Sequence, residues 1–375
     1  MTGRRICSRC VMDSSNPQIV FDEKGVCNCC TDAVARMSLE WFPDEVGRKR
    51  LEALADRLRT AGKGRPYDAM IGLSGGVDSA YLAHFLRTEY DLRLLAVHVD
   101  GGWNTEAAVY NIEVMVRALQ IDLHTYVVEW EEMRDLQLAF LRASLLNQDI
   151  PQDHAFFSTL YRTARTFGVS DFLSGVNFSS ECIVPPGWGY PAMDGLHVRA
   201  IHARFGRAKL GTYPVMGVLE YLWLTRLRRQ LSIHRPLNCL DYNKTQAKAL
   251  LMERYGYKDY GGKHNESRFT KFYQEIYLPA RYGFDKRRLH LSSQIVSGQV
   301  TRQEAMKELA TPICDPEQTR HEMKFIAKKL RISLDELRSL MSQPPVEHEH
   351  YSSSASLYRM GAGLKRLLSR SGGAR

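Results

Sequence analysis

Between positions 65 and 180 the chain alternates two hydrophobic patterns. Short, mostly apolar runs at 68–73, 94–99, 123–128 and 171–174 read as strands, the first as a buried one. Stretches of 3.6-residue periodicity separate them, from the end of the first run to about 88, then over 105–119, 133–146 and 154–167. Strands alternating with helices predict an α/β fold with a parallel sheet covered on both faces. Upstream, 44–62 places Val46, Leu51, Leu54, Ala55 and Leu58 on one helical stripe, and the breaker cluster 62–66 follows. Beyond Pro185 the pattern supports no strand. Helices are expected at about 216–231, 244–255, 265–277, 285–297, 302–310, 316–331 and 334–341. Thr301 with Glu304 and Ser333 with Glu336 fit capping boxes, and Asp315 precedes an N1 proline, Pro316. The expected organisation is a cysteine module over 1–35, a linking helix over 36–64, an α/β core over 65–184, a helical substrate or partner region over 185–341, and a basic, poorly ordered tail over 342–375.

Composition changes this picture little. Apolar content of 44% and charged content of 25% are ordinary for a soluble globular protein. No apolar run approaches the ~20 residues of a membrane-spanning helix. The first residues lack the apolar segment of a secretion signal, so a cytoplasmic location is expected. The net charge is +9, but Arg359, Lys365, Arg366, Arg370 and Arg375 supply five of those charges with no acid among them. The body is therefore only weakly basic. It suits an anionic small substrate, and no nucleic-acid partner is expected.

The candidate chemistry starts where the first strand ends. Ser74-Gly75-Gly76-Val77-Asp78-Ser79 lies between a predicted strand and a predicted helix. Gly75 and Gly76 let the backbone approach phosphate oxygens without a Cβ in the way. The helix that follows turns its free N–H groups and positive dipole end towards an anion. Ser74 and Ser79 add hydroxyl donors, and Asp78 is a candidate to hold Mg²⁺ or to cap the helix. The spacing is neither GxxxxGK(S/T) nor GxGxxG. The bland reading is a glycine-rich turn without chemistry. The string resembles the SGGxDS signature of the PP-loop ATP pyrophosphatases, whose fold is adenine nucleotide α-hydrolase-like. That resemblance implies ATP, cleaved to AMP and pyrophosphate, with the adenine near the end of the second strand, around Val99 and Asp100.

Five of the eight cysteines lie in the first 30 residues. Cys7 and Cys10 form one knuckle, and Cys27 with Cys30 a second, with 16 residues between Cys10 and Cys27. This spacing fits a closed four-thiolate Zn²⁺ site, structural rather than catalytic. Cys29 competes with Cys30 for the fourth position. An iron–sulfur cluster and a plain loop of reduced cysteines are the alternatives.

Longer strings narrow the reaction. They are Cys7-Ser8-Arg9-Cys10-Val11-Met12-Asp13, Phe21-Asp22-Glu23-Lys24-Gly25-Val26-Cys27, Tyr260-Gly261-Gly262-Lys263-His264-Asn265-Glu266-Ser267, Gly283-Phe284-Asp285-Lys286-Arg287-Arg288, His290-Leu291-Ser292-Ser293 and Ser297-Gly298-Gln299-Val300-Thr301-Arg302. With them nearly the whole chain resembles the N-acetyl sugar amidotransferases of bacterial lipopolysaccharide and surface-polysaccharide biosynthesis. The resemblance implies that the acetamido oxygen of a nucleotide-linked sugar is adenylated by ATP and that ammonia then displaces AMP, leaving an acetamidino group. Asp78, Lys263, His264 and Glu266 are the catalytic candidates. Asn177, Glu181, Lys286, Arg287 and Arg288 are substrate candidates, the basic run being the group expected to hold a nucleotide diphosphate. Loop packing and a solvated helix face are the plainer readings of these residues. Position 2 is Thr, and no lone cysteine sits in a nucleophile elbow with a His-Glu pair. Ammonia is therefore expected from a separate glutaminase, which the resemblance pairs with a cyclase-like partner. A tRNA-thiolating PP-loop enzyme is the rival reading. However, Cys182, Cys239 and Cys314 stand singly rather than as a CxxC pair. A non-catalytic zinc- and nucleotide-binding module is a second alternative.

Overall fold

The computed structural model describes residues 4–185, 190–223, 231–262 and 265–354. Five parallel strands form one sheet, β1 (Ala69–Gly72), β2 (Leu94–Asp100), β3 (Asp122–Val127), β4 (Asp171–Leu173) and β5 (Ser232–His234), in the order β3-β2-β1-β4-β5. The chain steps outward from β1 to β3, then crosses to the other side of β1 for β4 and β5. The order reverses at β1/β4, and ligands of such sheets bind beyond the carboxyl ends of the strands at that reversal.

Helices flank the sheet in chain order as α1 (Asn28–Glu40), α2 (Glu45–Ala61), α3 (Val77–Tyr90), α4 (Glu106–Leu119), α5 (Trp130–Arg142), α6 (Ile150–Phe167), α7 (Phe178–Glu181), α8 (Gly195–Phe205), α9 (Val218–Leu222), α10 (Lys244–Tyr255), α11 (Arg268–Phe272), α12 (Leu278–Tyr282), α13 (Lys286–Val296), α14 (Arg302–Leu309), α15 (Pro316–Leu330) and α16 (Leu334–Ser342). Strand side chains alternate between two cores. Met70, Leu95, Val97 and Phe172 pack with Leu160 and Ala164 of α6. Ala69, Ile71, Leu94, Ala96 and Leu173 pack with Leu58 of α2, Leu82 and Leu86 of α3, Ile112 of α4 and Leu251 of α10. Both faces are buried, which is why the central strands read as mostly apolar runs. A third core joins α5, α11, α15 and α16 to the cysteine module through Phe140, Phe269, Phe272, Ile326, Leu330 and Leu337.

The structure departs from the sequence pattern in several places, among them α8 at Gly195–Phe205, where no helix is expected. The sheet continues past position 185, because β5 pairs with β4 through Asp171↔Ser232 and Leu173↔His234. Three residues at an exposed edge are too few to show an alternation. Of the helix expected over 216–231, α9 is described, and 224–230 lie outside the described residues. The helix expected over 265–277 runs on to Tyr282 through a widened turn at Tyr273–Tyr277, which seats Pro279 without its ring striking the carbonyl four residues back. Finally, the tail expected from 342 is packed as far as Ser354. Val346 N–H donates to the Ser144 carbonyl at 3.0 Å, and His348 and Tyr351 are buried. Its few apolar and aromatic residues suffice to dock it. Positions 355–375 lie outside the described residues. Among the described residues no helix is long and apolar enough to cross a membrane.

Candidate active site

The 74–79 loop leaves β1 at the strand reversal and enters α3. Gly75 has φ +83°, and a Cβ there would lie 2.6 Å from the Ala108 carbonyl oxygen, so no other residue fits. Gly76 is the N-cap of α3 and has no side chain to bond the first-turn N–H groups. A Cβ at Gly76 would meet Glu266 Oε1 and Ser74 Oγ at 3.1 Å. The loop therefore presents bare backbone at a helix N-terminus, the arrangement that receives a phosphate.

Two tyrosines hold that backbone in shape, and a third holds the Asp78 side chain. Tyr257 donates to the Gly75 carbonyl at 2.6 Å, Tyr260 accepts from Val77 N–H at 3.1 Å, and Tyr242 donates to Asp78 Oδ1 at 2.5 Å. Burial and the nearby Asp78 push Tyr242 far above the ordinary phenol range, and burial with Glu266 does the same to Tyr260. Both hydroxyls stay protonated. Asp78 also accepts from Asn177 Nδ2 at 3.4 Å, and Lys244 Nζ stands 3.5 Å from its other oxygen.

Two cavities meet at the loop. One, of about 340 Å³, lies at the ends of β1 and β4 and is lined by Ser74, Asp78, Ser79, Glu181, Lys244 and Glu266. The other, of about 350 Å³, lies at the ends of β1 and β2, against His98, Val99, Asn104, Asp149, Asp153 and Lys286. Ser74, Asp153, Phe156 and Glu266 belong to both. His98 is kept neutral by burial. It bonds the Leu73 carbonyl through Nδ1 at 2.8 Å and Asn104 Nδ2 through Nε2 at 3.0 Å. One tautomer, with the proton on Nδ1, satisfies both. Burial raises the carboxyls of Asp149 and Asp153, and the Asp153 charge raises Asp149 further. Lys286 works against both shifts. Asp153 is open to the cleft though ringed by protein, and Asp149 accepts from Thr270 Oγ1 and Gln152 Nε2 at 3.2 Å.

Most sequence-predicted residues gather here. Ser74, Gly76, Asp78, Ser79, Val99, Glu181, Glu266 and Lys286 line the two cavities, and Asn177 braces Asp78 as the N-cap of α7. Val77 has its N–H taken by Tyr260, and Asp100 is turned to its own loop, accepting from Gly102 N–H at 2.7 Å. Lys263 and His264 lie outside the described residues. Two of the basic residues are committed elsewhere. Arg287 is bound to Asp285 and to the carbonyls of Glu308 and Thr311, and Arg288 pairs with buried Asp13 at 3.1 Å and donates to the Val11 carbonyl. Asp285 stands beside the run in sequence, but the run cannot show that Arg288 is partnered by the remote Asp13 or that Arg287 also binds carbonyls more than twenty positions away. Sequence reasoning also missed Tyr242, Lys244, Tyr257, Asp149 and Asp153. Only the flank of the Tyr260-Gly261-Gly262 string signalled the tyrosines.

The cysteine module sits apart from the cavities. The Sγ atoms of Cys7, Cys10, Cys27 and Cys30 all lie within 4.8 Å of one another. Backbone N–H groups of Arg9, Cys10, Met12, Cys27 and Cys30 point at these sulfurs at 3.2–3.4 Å. Four buried sulfurs with amide donors fit a tetrahedral Zn²⁺ site. The fourth sulfur of this cluster is that of Cys30, while the Cys29 thiol lies 3.7 Å from Asn28 Oδ1. Arg302 donates to the Cys7 and Cys10 carbonyls, and Val11 N–H bonds Ser292 Oγ, so the module is docked on α13 and α14.

No curated protein matches the chain. Similar solved structures include the NMN synthetase from Francisella tularensis, at 14% identity over 81% of this chain and 99% of that one, TM-score 0.35. The NH3-dependent NAD synthetase from Campylobacter jejuni is 15% identical over 71% of this chain and 97% of that one, TM-score 0.31. The U34-tRNA thiolase NcsA from Methanococcus maripaludis is 13% identical over 82% and 89%, TM-score 0.32. Residues 266–365, which begin at Glu266 in the cleft and include α11 to α16, match the family model described as LPS biosynthesis protein WbpG-like, C-terminal domain.

Proposed function

We propose that the protein is an AMP-forming, ATP-dependent amidotransferase that converts the acetamido group of a nucleotide-linked sugar to acetamidino, in lipopolysaccharide or other surface-polysaccharide biosynthesis in the cytoplasm. One observation carries the ATP half of this reading. The bare backbone of the 74–79 loop opens at the point where two cavities meet, one at β1/β4 and one at β1/β2. Pyrophosphate would take the first and the nucleoside the second, leaving the α-phosphate at their junction. The match of 266–365 to an LPS biosynthesis family supports the sugar half.

The acetamido oxygen attacks the α-phosphorus, a P–O bond forms, and the bond to the bridging oxygen breaks with its electrons leaving on pyrophosphate. Ammonia then adds to the imidate carbon, and the C–O bond breaks to release AMP. Loss of a proton leaves the amidine. An amide oxygen is a poor leaving group until it is adenylated. First-turn N–H groups of α3, the Ser74 and Ser79 hydroxyls and Lys244 would offset the charge growing on pyrophosphate. Mg²⁺ would supply further charge stabilisation, and Asp78, Glu181 and Glu266 are the carboxylates along the phosphate cavity suited to hold it. Ammonia would come from a separate glutaminase working with a cyclase-like partner.

Incubating the protein with ATP, Mg²⁺, a UDP-linked acetamido sugar and ¹⁵N-ammonium tests the reading by mass spectrometry. The sugar should exchange one oxygen for a labelled nitrogen. An unchanged sugar, together with ATP consumption that needs tRNA, would replace this reading with the thiolase.

A further inference from the structure

A third cavity, of about 500 Å³, adjoins the other two and takes no part in the reading above. Its wall includes Lys244, Asn265, Gln274, Lys286, Gln294 and Ile313. Lys244 also lines the phosphate cavity, and Gln274 and Lys286 also line the nucleoside cavity. The third cavity therefore touches both halves of the ATP cleft. A group projecting from it between Lys244 and Lys286 arrives at the junction, where the α-phosphate would lie.

The wall also indicates what it takes. Asn265, Gln274 and Gln294 carry side-chain amides, each able to donate and to accept, which suits hydroxyls and an acylamino group. Among the described residues no Phe, Tyr or Trp lines it, and its one aromatic ring is the small imidazole of His290, bonded to the Ser180 carbonyl, so a base lacks a broad platform. Arg287, which faces it, is engaged by Asp285 and two carbonyls, so among the described residues the cavity offers no free guanidinium for a diphosphate. The volume lies within the range of small-molecule sites and is ample for one hexose ring.

We infer that this cavity holds the pyranose ring of the acceptor, an acetamido-substituted hexose, with its acetamido group passing between Lys244 and Lys286 towards the loop. The inference rests on the function proposed above and adds the place and the class of the acceptor's ring.

Two cavity-filling variants test it, Gln294→Trp on α13 and Ile313→Trp on the loop after α14. Calorimetry on the full chain would measure binding of ATP with Mg²⁺ and, separately, of a neutral and a uronic UDP-linked acetamido hexose. Each variant should bind the sugar nucleotide about tenfold more weakly or worse, with ATP affinity held within about twofold. If both variants keep wild-type sugar affinity, the cavity is not the ring's site, and the proposed function stands without it. If the wild type binds ATP but neither sugar nucleotide, the proposed function and this inference fall together.

Discussion

At the level of single residues, the loop was legible because its chemistry is contiguous. Six neighbouring residues spell a glycine-rich turn between a strand and a helix, and the cleft forms around them. The tyrosines that shape the turn were not legible, since Tyr242 and Tyr260 are 164 and 183 positions from the atoms they hold. Their importance is open to test. Tyr242→Phe removes one hydrogen bond to a charged group, worth about 1.5–3 kcal/mol. Pyrophosphate release should slow roughly ten- to a hundredfold if Asp78 must be held in place for catalysis. An unchanged rate would mean that Asp78 needs no brace. Arg288 illustrates the opposite lesson. Its charge suggested a diphosphate ligand, but it neutralises Asp13, which is 1% exposed. Arg288→Ala would leave that buried carboxylate only the more distant Arg4, at 3.8 Å, as a charge partner, at a cost of up to about 3–5 kcal/mol. Thermal unfolding should fall markedly. A normal melting curve with a raised KM for the sugar nucleotide would restore the ligand role.

Among the elements, periodicity found the strands buried on both faces and the capped helices. Thr301 and Glu304 do form a reciprocal capping box, and Asp315 caps α15 ahead of Pro316. Periodicity missed β5, which is short and at an edge, and the docked segment 342–354, whose anchors are spaced irregularly. His348 reports on that docking. Its ring stacks on Tyr190 at 4.2 Å, contacts His197 Nε2 at 3.1 Å and accepts from Asn147 N–H at 3.4 Å. Burial and His197 push it down to about 3 from an ordinary value of 6.5. The folded segment thus holds a neutral ring that a released segment would protonate. This stabilisation is complete above pH 6.5 and is lost as pH falls from there towards 3. Hydrogen exchange in 342–354, corrected for its intrinsic pH dependence, should accelerate across that window. Constant protection down to about pH 4 would contradict the assignment. The cysteine module makes its own prediction. Cys30→Ser should lose bound zinc and destabilise the α13–α14 face on which the module rests, whereas Cys29→Ser should keep zinc. Metal analysis showing the reverse would reassign the fourth ligand.

Across the whole molecule, three layers of sequence converge on one cleft. The sheet supplies the loop, the 242–260 segment supplies the tyrosines and Lys244, and the region from Glu266 onward supplies Thr270, Lys286 and most of the wall of the third cavity. The parallel core was readable from local pattern alone. The way the helical half folds over it was not, because that depends on contacts more than a hundred residues apart, such as Arg302 on the Cys10 carbonyl and Tyr257 on the Gly75 carbonyl. The claim that unites these layers is that ATP is cut at its α-phosphate on behalf of a sugar. Phosphorus NMR of a reaction containing ATP, Mg²⁺, ammonium and a UDP-linked acetamido hexose tests it most directly. The account predicts AMP and pyrophosphate in equal amounts, formed only when the sugar is present and abolished by Asp78→Ala. Release of ADP and inorganic phosphate, or AMP formation indifferent to the sugar, would contradict it.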